Sequence, residues 1–199
     1  MLVQPITLEG RRVRLEPMSD AHLGGLTEVG LDEELWRWTT TRIASPAEMR
    51  AYVEAALEDG RRRVSLPFVT VESGSGRVVG STRFGNIDRE NRKAEIGWTW
   101  IGRDWQRTPV NTEAKLLMLA HAFEVWRCVR VELKTDSLNE RSRRAILRIG
   151  AKEEGTLRNH MITHTGRLRH SVFFSVIESE WPQVRADLET KLARVYSGG

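Results

Sequence analysis

A polar loop between a strand-like and a helix-like segment carries the residues best suited to bind a ligand. Residues 93–101 alternate and are rich in Ile, Trp and Thr, as in a half-buried strand. Residues 102–109 break that pattern, and Asn111 or Thr112 is expected to cap the following helix, with Glu113 favourable in its first turn. The first N–H groups of a helix lack backbone partners and lie at the positive end of its dipole. This junction is therefore suited to an anion.

Three basic side chains surround the same junction: Arg103, Arg107 and Lys115. Together with the helix N-terminus they indicate a ligand that carries phosphate groups. The alternative is a surface loop with ordinary solvated arginines, and the junction alone does not separate the two.

The order of elements along the chain predicts the fold class. The predicted strands are residues 12–17, 66–72, 78–87, 93–101, 129–135, 152–163 and 168–177. The predicted helices are residues 19–28, 32–38, 45–59, about 112–126, 139–149 and about 180–196. This order predicts an α/β protein with a central mixed, mostly antiparallel sheet and helices on both faces. No linker divides the chain, so we expect a single domain over residues 1–199.

Composition excludes several classes of protein. The chain has 199 residues, of which 40% are hydrophobic and 29% charged, as in a soluble globular protein. No apolar run is long enough to cross a bilayer, and the first residues lack a signal-peptide core. The single cysteine, Cys128, cannot form an internal disulfide, which predicts a cytoplasmic protein.

Charge and metal-ligand patterns argue against two further classes. The net charge is +4, and the basic runs at 61–63 and 141–148 lack interleaved aromatic residues. Solvated helix faces therefore explain them better than a nucleic-acid surface. The five histidines show no metal-ligand spacing, so no metal is expected.

Four short segments occur in a distinctive order: residues 130–133 (RVEL), 139–142 (NERS), 149–151 (IGA) and 154–158 (EGTLR). In order and spacing they resemble the GNAT N-acetyltransferase superfamily, and more narrowly its Rim-type branch of ribosomal-protein N-terminal acetyltransferases. The resemblance covers nearly the whole chain and implies a GNAT-like fold with acetyl-CoA as co-substrate. It also implies a homodimer through the C-terminal half, a prediction that the apolar face of the last helix and the count of seven tryptophans support.

The resemblance places the coenzyme's pyrophosphate on the loop that enters the central helix. A Gln/Arg-x-x-Gly-x-Gly/Ala pattern is usual there; Gln106 matches it, whereas Pro109 and Asn111 replace the small residues. Proline fixes φ and lacks an N–H, so other groups are expected to hold the phosphates. The implied pyrophosphate residues are Gln106, Arg107, Thr108, Val110, Asn111 and Thr112.

The resemblance also implies contacts with the pantetheine arm. The strand residues implied to pair with its amides are Trp98, Thr99, Trp100 and Ile101. Asn139 is implied to face the arm from the next loop, and it is equally suited to cap the following helix. Arg143 and Arg144 are candidates for the coenzyme's phosphates, with solvated arginines on an exposed face as the alternative.

Acetyl transfer requires a neutral amine, a polarised thioester carbonyl and a protonated leaving thiolate. Many members of the family supply the acid from a tyrosine, but Ile146 occupies that position here, and Ser142 is the best substitute. Ser142 is alternatively a polar first-turn residue. Glu95 is the candidate base; the alternatives are a solvent-facing strand carboxylate and a water chain to the amine.

Taken together, the residues and the resemblance predict an N-acetyltransferase. It is expected to transfer the acetyl group of acetyl-CoA directly to a primary amine, either a protein N-terminus or a small amine. Because of Pro109 and the missing tyrosine, the alternative is a non-catalytic or differently specialised acyl-CoA-binding protein. A basic nucleic-acid-associated module is a third possibility. No membrane partner is expected.

Overall fold

A computed structural model describes residues 1–196 as one sheet with helices on both faces. The strands are β1 (Leu8–Glu9), β2 (Val13–Pro17), β3 (Leu66–Glu72), β4 (Val78–Asp88), β5 (Lys93–Ile101), β6 (Arg130–Asp136), β7 (Lys152–Ile162) and β8 (Leu168–Ile177). The helices are α1 (Leu23–Gly30), α2 (Pro46–Arg61), α3 (Pro109–Ala120), α4 (Glu140–Arg148) and α5 (Trp181–Tyr196). These elements confirm the predicted mixed α/β class.

The eight strands follow the order β1-β2-β3-β4-β5-β6-β8-β7 across the sheet. Every neighbouring pair is antiparallel except β5 and β6, which run parallel. A parallel pair needs a long crossover, and α3 provides it. The sheet is thus mixed and mostly antiparallel, as predicted.

Two hydrophobic layers cover the sheet. On one face Phe68, Phe84 and Phe174 are fully buried in a core shared with α3, α4 and α5. On the other face Trp36 and Trp100 belong to a second core built with α1 and α2. The layer of α1 and α2 covers the second face over β3, β4 and β5, whereas no described residue of β6 or β8 belongs to that core.

Two helix predictions were wrong in extent. The predicted helix over 32–38 is a single 3-10 turn, Glu33–Leu35, because Trp36 turns inward and donates its indole N–H to the Gly30 carbonyl at 2.7 Å. The central helix ends its regular hydrogen bonding at Ala120 and continues as a π-helical turn over His121–Val125. No helix in the described residues 1–196 is long and apolar enough to span a membrane.

Glu113 has a different role from the one predicted. The residue is buried, and its carboxylate accepts the backbone N–H groups of Arg11, Arg12 and Val13 at 2.9, 2.7 and 2.9 Å. The approach is so close that a Cβ at Gly10 would lie 2.6 Å from the carboxylate carbon. Glu113 therefore holds the β1–β2 turn against α3 instead of acting on the helix dipole.

The closing helix is present as predicted, but its apolar face is not available to a second copy. Val184, Leu188 and Leu192 are buried within the chain. Val195 was also placed on this face, and its side chain lies outside the described part of the structure, as do residues 197–199 of the predicted domain. The apolar face of α5 therefore cannot be the dimer surface, because α5 packs on α3. The dimer through the C-terminal half stays a prediction.

Candidate active site

The site begins where the two parallel strands separate. β5 and β6 pair only at Lys93–Arg130, Ala94–Val131 and Glu95–Glu132. Beyond Glu95 no ladder joins them, although both strands continue for several residues. After the C-terminal end of β5 the chain enters α3, and after the C-terminal end of β6 it enters α4. The opening therefore lies between two helix N-termini. An extended ligand can occupy such an opening and bond to the free edge of β5.

A bulge on β5 aims Trp98 into this region. Ser81 pairs with Trp100 and Arg83 with Gly97, so β5 has one more residue than β4 between these pairs. Trp98 adopts a left-handed φ of 50° and is 44% exposed. Its ring covers Gly85 so closely that a Cβ there would meet it at 2.3 Å. The indole forms one wall of the opening.

The N-terminus of α3 begins earlier than predicted. Thr108, not Asn111 or Thr112, is the cap: its backbone is extended and its hydroxyl accepts the Val110 N–H at 3.4 Å. Pro109 is the first helical residue, where its fixed φ suits the helix and its missing N–H would have had no helical partner. Arg107 precedes the cap with a left-handed φ of 63° and is exposed.

The other residues of this loop differ in what they offer a ligand. The amide oxygen of Asn111 is buried and has no hydrogen-bond partner. Gln106 donates to the Ile101 carbonyl at 2.8 Å and accepts from Arg141 at 2.7 Å. The Thr112 hydroxyl accepts from Arg148 at 3.2 Å, and Val110 is buried in the core. Gln106 and Thr112 thus join α3 to α4, while Asn111 has an unused acceptor.

Lys115 does not surround the phosphate site but lies inside the protein. Its side chain is buried, and its ammonium donates to the hydroxyls of Thr99 and Thr82 at 2.7 and 3.2 Å. No carboxylate among residues 1–196 forms an ion pair with it. Burial lowers the pKa of Lys115 to about 7. The Thr99 side chain, predicted at the pantetheine arm, connects this amine to the opening.

Glu95 lies at the point where the strands separate and is buried, not solvent-facing. One carboxylate oxygen, Oε2, accepts from Lys134 at 2.6 Å and from the Asn86 amide at 2.8 Å. The other, Oε1, has no hydrogen-bond partner in the described chain. A Cβ at Gly97 would lie 2.8 Å from Oε1, so the glycine leaves this oxygen accessible. The arrangement leaves one oxygen of the carboxylate able to accept a proton.

The N-terminus of α4 borders the opening from the other strand. The Asn139 side chain caps the helix by accepting the Ser142 N–H at 3.0 Å, which confirms the capping alternative. The Ser142 hydroxyl has no partner in residues 1–196, and Ile146 is buried as core. Arg143 bonds Glu153 and the Ser137 carbonyl, so it turns away from the α3 loop.

Most of the predicted site residues border one opening, but some of them offer it only their backbone groups. The backbone of β5 from Trp98 to Ile101, the α3 loop, Glu95 and the α4 cap all border one opening. The side chains of Trp100 and Ile101 point into the two cores, so only their backbone groups remain for a ligand.

The cysteine and the histidines considered for chemistry do not form a reactive site. No group of three or more metal-ligating side chains occurs in the part of the chain that the structure describes. Burial raises the pKa of Cys128 to about 11, so the thiol is a poor nucleophile. His121 packs against Phe84 and Trp126.

Three residues of the opening were missed by sequence reasoning, Asn86, Lys134 and Arg169, and Lys115 was placed at the phosphate site although it faces inward. The position of Lys115 was open to prediction, since it follows Asn111 by four residues and precedes Met118 and Leu119 on the buried stripe. Lys134 also alternates with the buried Leu133 and Thr135, which places it on the opposite, polar face. Asn86 and Arg169 meet this site only through tertiary pairing.

Comparison with known proteins agrees with this geometry. Residues 12–152 match the model of the acetyltransferase (GNAT) domain, which is more than half of the chain. The protein belongs to the GNAT family. This acetyltransferase is an acetyl-CoA-dependent acyltransferase, because that is the reaction of the family whose domain it contains.

Individual relatives support the same assignment. YdaF of Bacillus subtilis, a candidate ribosomal N-acetyltransferase by name, is 30% identical over 170 residues, covering 84% of this chain and 90% of its own. A crystal structure of a candidate acetyltransferase from T. thermophilus is 36% identical, with a TM-score of 0.88 over 96% of this chain and 100% of its own. Mycobacterium smegmatis RimJ, solved with CoA-disulfide, is 22% identical and shares the fold with a TM-score of 0.81 over 94% and 95% of the two chains.

Proposed function

We propose that this acetyltransferase transfers the acetyl group directly to a primary amine, with the two substrates meeting at the opening between β5 and β6. The observation that carries the proposal is the loss of pairing beyond Glu95, with a buried carboxylate at that point. The proposed acceptor is a protein N-terminus or a small amine. YdaF carries a name that refers to ribosomal acetylation, which supports an amine of the first kind.

The proposed coenzyme site lies on the α3 and α4 side. The pantetheine arm bonds the backbone of Trp98 to Ile101 and passes Asn139 and Ser142, with Arg143 at its edge. The pyrophosphate is held by Gln106, Arg107, Thr108, Val110, Asn111 and Thr112. The buried amide oxygen of Asn111 has no partner and can only accept, so it suits an N–H group of the coenzyme, and the phosphate oxygens are left to the donors of the loop.

Glu95 is the proposed base. Its Oε2 is fixed by Lys134 and Asn86, which leaves Oε1 to take a proton from the amine, directly or through one water. Ser142 is the proposed hydroxyl near the leaving thiolate, since Ile146 has no proton to give. Glu95 then acts on the amine from β5, and Ser142 acts on the thiolate from the N-terminus of α4.

Steady-state assays that detect free CoA thiol with a panel of amines test this proposal. We expect Glu95→Gln to lower kcat by about 10²-fold or more while the KM for acetyl-CoA changes little. Glu132→Gln, one strand away in register, is the control. If calorimetry shows acetyl-CoA binding but no amine releases thiol, the alternative of a non-catalytic acyl-CoA-binding protein is correct.

The proposal also covers the cellular location of the enzyme and its oligomeric state. The single cysteine and the composition support the cytoplasm as its location. A homodimer remains proposed, but through another surface than α5. β7 is the last strand of the sheet, and exposed apolar side chains lie on and around it: Leu147, Leu157, Ile162, Leu168 and Ile177.

A further inference from the structure

A row of charged side chains continues above Glu95 on the face of the sheet opposite α3. On β6, Lys134 and Asp136 alternate with core residues, and they lie opposite Phe173 and Ser171 of β8. Arg169 precedes Ser171 by two residues, so it lies on the same face one step further up. This face borders the opening from the side of α1 and α2.

The charges of this row are paired with one exception. Lys134 bonds Glu95, and the fully buried Asp136 accepts from Arg167. Arg169 is only 8% exposed, yet it bonds two neutral groups, the Ser171 hydroxyl at 3.1 Å and the Trp38 carbonyl at 3.4 Å. No carboxylate of the described residues lies within ion-pair distance of it.

The row therefore carries one positive charge in excess. Three cations, Lys134, Arg167 and Arg169, face two carboxylates. The remaining titratable group is His160, which bonds the Ser171 hydroxyl at 3.0 Å. Burial, together with the charges of Lys134 and Arg169, lowers the pKa of His160, so this residue is neutral at pH 7. A buried guanidinium without a counter-charge is costly unless a ligand supplies one.

The guanidinium also has donors to spare. Arginine carries five N–H groups in a fixed fork, and Arg169 uses two of them, the second in a long bond. The fork matches a carboxylate, to which it binds with two parallel hydrogen bonds. Arg169 lies close enough to the candidate base for their charges to interact, since both Glu95 and Asp136 act electrostatically on its guanidinium.

We propose that Arg169 binds a carboxylate of the acceptor, so that the enzyme prefers amines carrying a carboxylate a few bonds from the amino group. This rests on the proposed function, because Glu95 marks where the amine reacts. The carboxylate belongs either to a free amino acid or to an acidic side chain beside a peptide N-terminus. Both sources present the same chemistry to Arg169.

Matched acceptors test the proposal with the full-length enzyme. The first pair is β-alanine and its amide. The second is a C-terminally amidated peptide that begins Ser-Asp and the same peptide beginning Ser-Asn. The variants are Arg169→Met and Arg169→Lys, with Arg158→Met on the exposed part of β7 as the control. The two pairs distinguish a free amino acid from a peptide as the source.

In at least one pair, we expect the wild type to favour the carboxylate member by about tenfold or more in kcat/KM. Arg169→Met should abolish that preference while retaining activity on the uncharged member, Arg169→Lys should retain part of it, and Arg158→Met should leave it unchanged. Equal rates with both members of both pairs in the wild type would overturn the proposal. So would an Arg169→Met variant that loses activity equally on both members.

The failure of the proposed function has a different signature. If no amine is acetylated at all, direct transfer is wrong, and this inference falls with it. If amines are acetylated in a Glu95-dependent way but without regard to a carboxylate, only the inference is wrong. The wild-type comparison needs no variant, so equal rates overturn the proposal even if Arg169→Met fails to fold, and Arg169→Lys then tests whether Arg169 causes a preference.

Discussion

Pro109 restricts the donors at the N-terminus of α3, and its replacement is the sharpest test at the scale of a residue. As the first helical residue it occupies a position whose N–H would be free to face a phosphate. We expect Pro109→Gly and Pro109→Ala to restore that N–H and tighten CoA binding by about tenfold, since a hydrogen bond to a charged group contributes about 1.5–3 kcal/mol. Greater freedom of the unliganded loop offsets about 0.4–1 kcal/mol of this gain.

Calorimetric titration with CoA measures both variants beside Pro182→Ala, which changes a proline in the first turn of α5. Arg107→Ala belongs in the same series, because its exposed side chain precedes the cap. If neither the restored N–H nor the loss of Arg107 alters the Kd, the pyrophosphate is bound elsewhere.

Side-chain identity predicted the cap of α4 correctly because its partner is local, although it misplaced the cap of α3. Asn139 was predicted to cap α4 and does so, because a cap bonds within three residues. Predictions failed where the partner is distant in sequence. The sequence did not decide whether Glu95 faces a cleft or solvent, because its partner Lys134 follows 39 residues later in the chain. The site residues themselves remain predictions until a ligand is bound.

At the scale of elements, seven of the eight strands were predicted within one residue at each end, because alternation fixes both their existence and their faces. Strand β1 was missed, since two residues are too few for alternation to show. Helix starts were less certain. Around α3 both Thr108 and Asn111 are good caps, and Pro109 selects the earlier one because proline fits the first helical position. The bulge at Trp98 had no sequence signal, since it depends on the register between β4 and β5.

The buried amine of Lys115 on α3 makes the free energy of unfolding of the protein depend on pH. Lys115 has a pKa of about 7 in the native state and about 10.5 in the unfolded chain. Between these values the unfolded chain binds a proton that the native state does not, so the free energy of unfolding rises with pH. The slope approaches about 1.4 kcal/mol per pH unit. Below pH 7 Lys115 is protonated in the native state as well, and the full cost of burying its charge lowers the free energy of unfolding.

We expect Lys115→Met to be more stable than the wild type at pH 6 and to lose this advantage as the pH approaches 10. Urea denaturation at several pH values measures the difference, with the exposed Lys191→Met on α5 as the control. A difference that does not change with pH would show that Lys115 keeps its ordinary pKa in the native state.

At the scale of the whole molecule, the proposed dimer uses the free edge of the sheet. β7 has β8 on one side and no strand of the described chain on the other. An exposed edge with apolar side chains is a template for a second strand. We expect a mass of twice 22.8 kDa by light scattering, and a monomer for Leu157→Lys, which places a charge on that edge. Thr156→Lys, on the opposite face of the same strand, is the companion variant. A wild-type mass of one chain across a wide concentration range would exclude the dimer.

The bond between Glu113 and the β1–β2 turn sets an order of events during synthesis. The three N–H groups of that turn find their carboxylate 100 to 102 residues later in the chain. At a synthesis rate of about 5–20 residues per second, the turn waits roughly 5 to 20 seconds before its partner exists. For that time β1 and β2 lack the carboxylate that binds the N–H groups of their turn. This edge of the sheet is therefore held in its final arrangement only after α3 has been made.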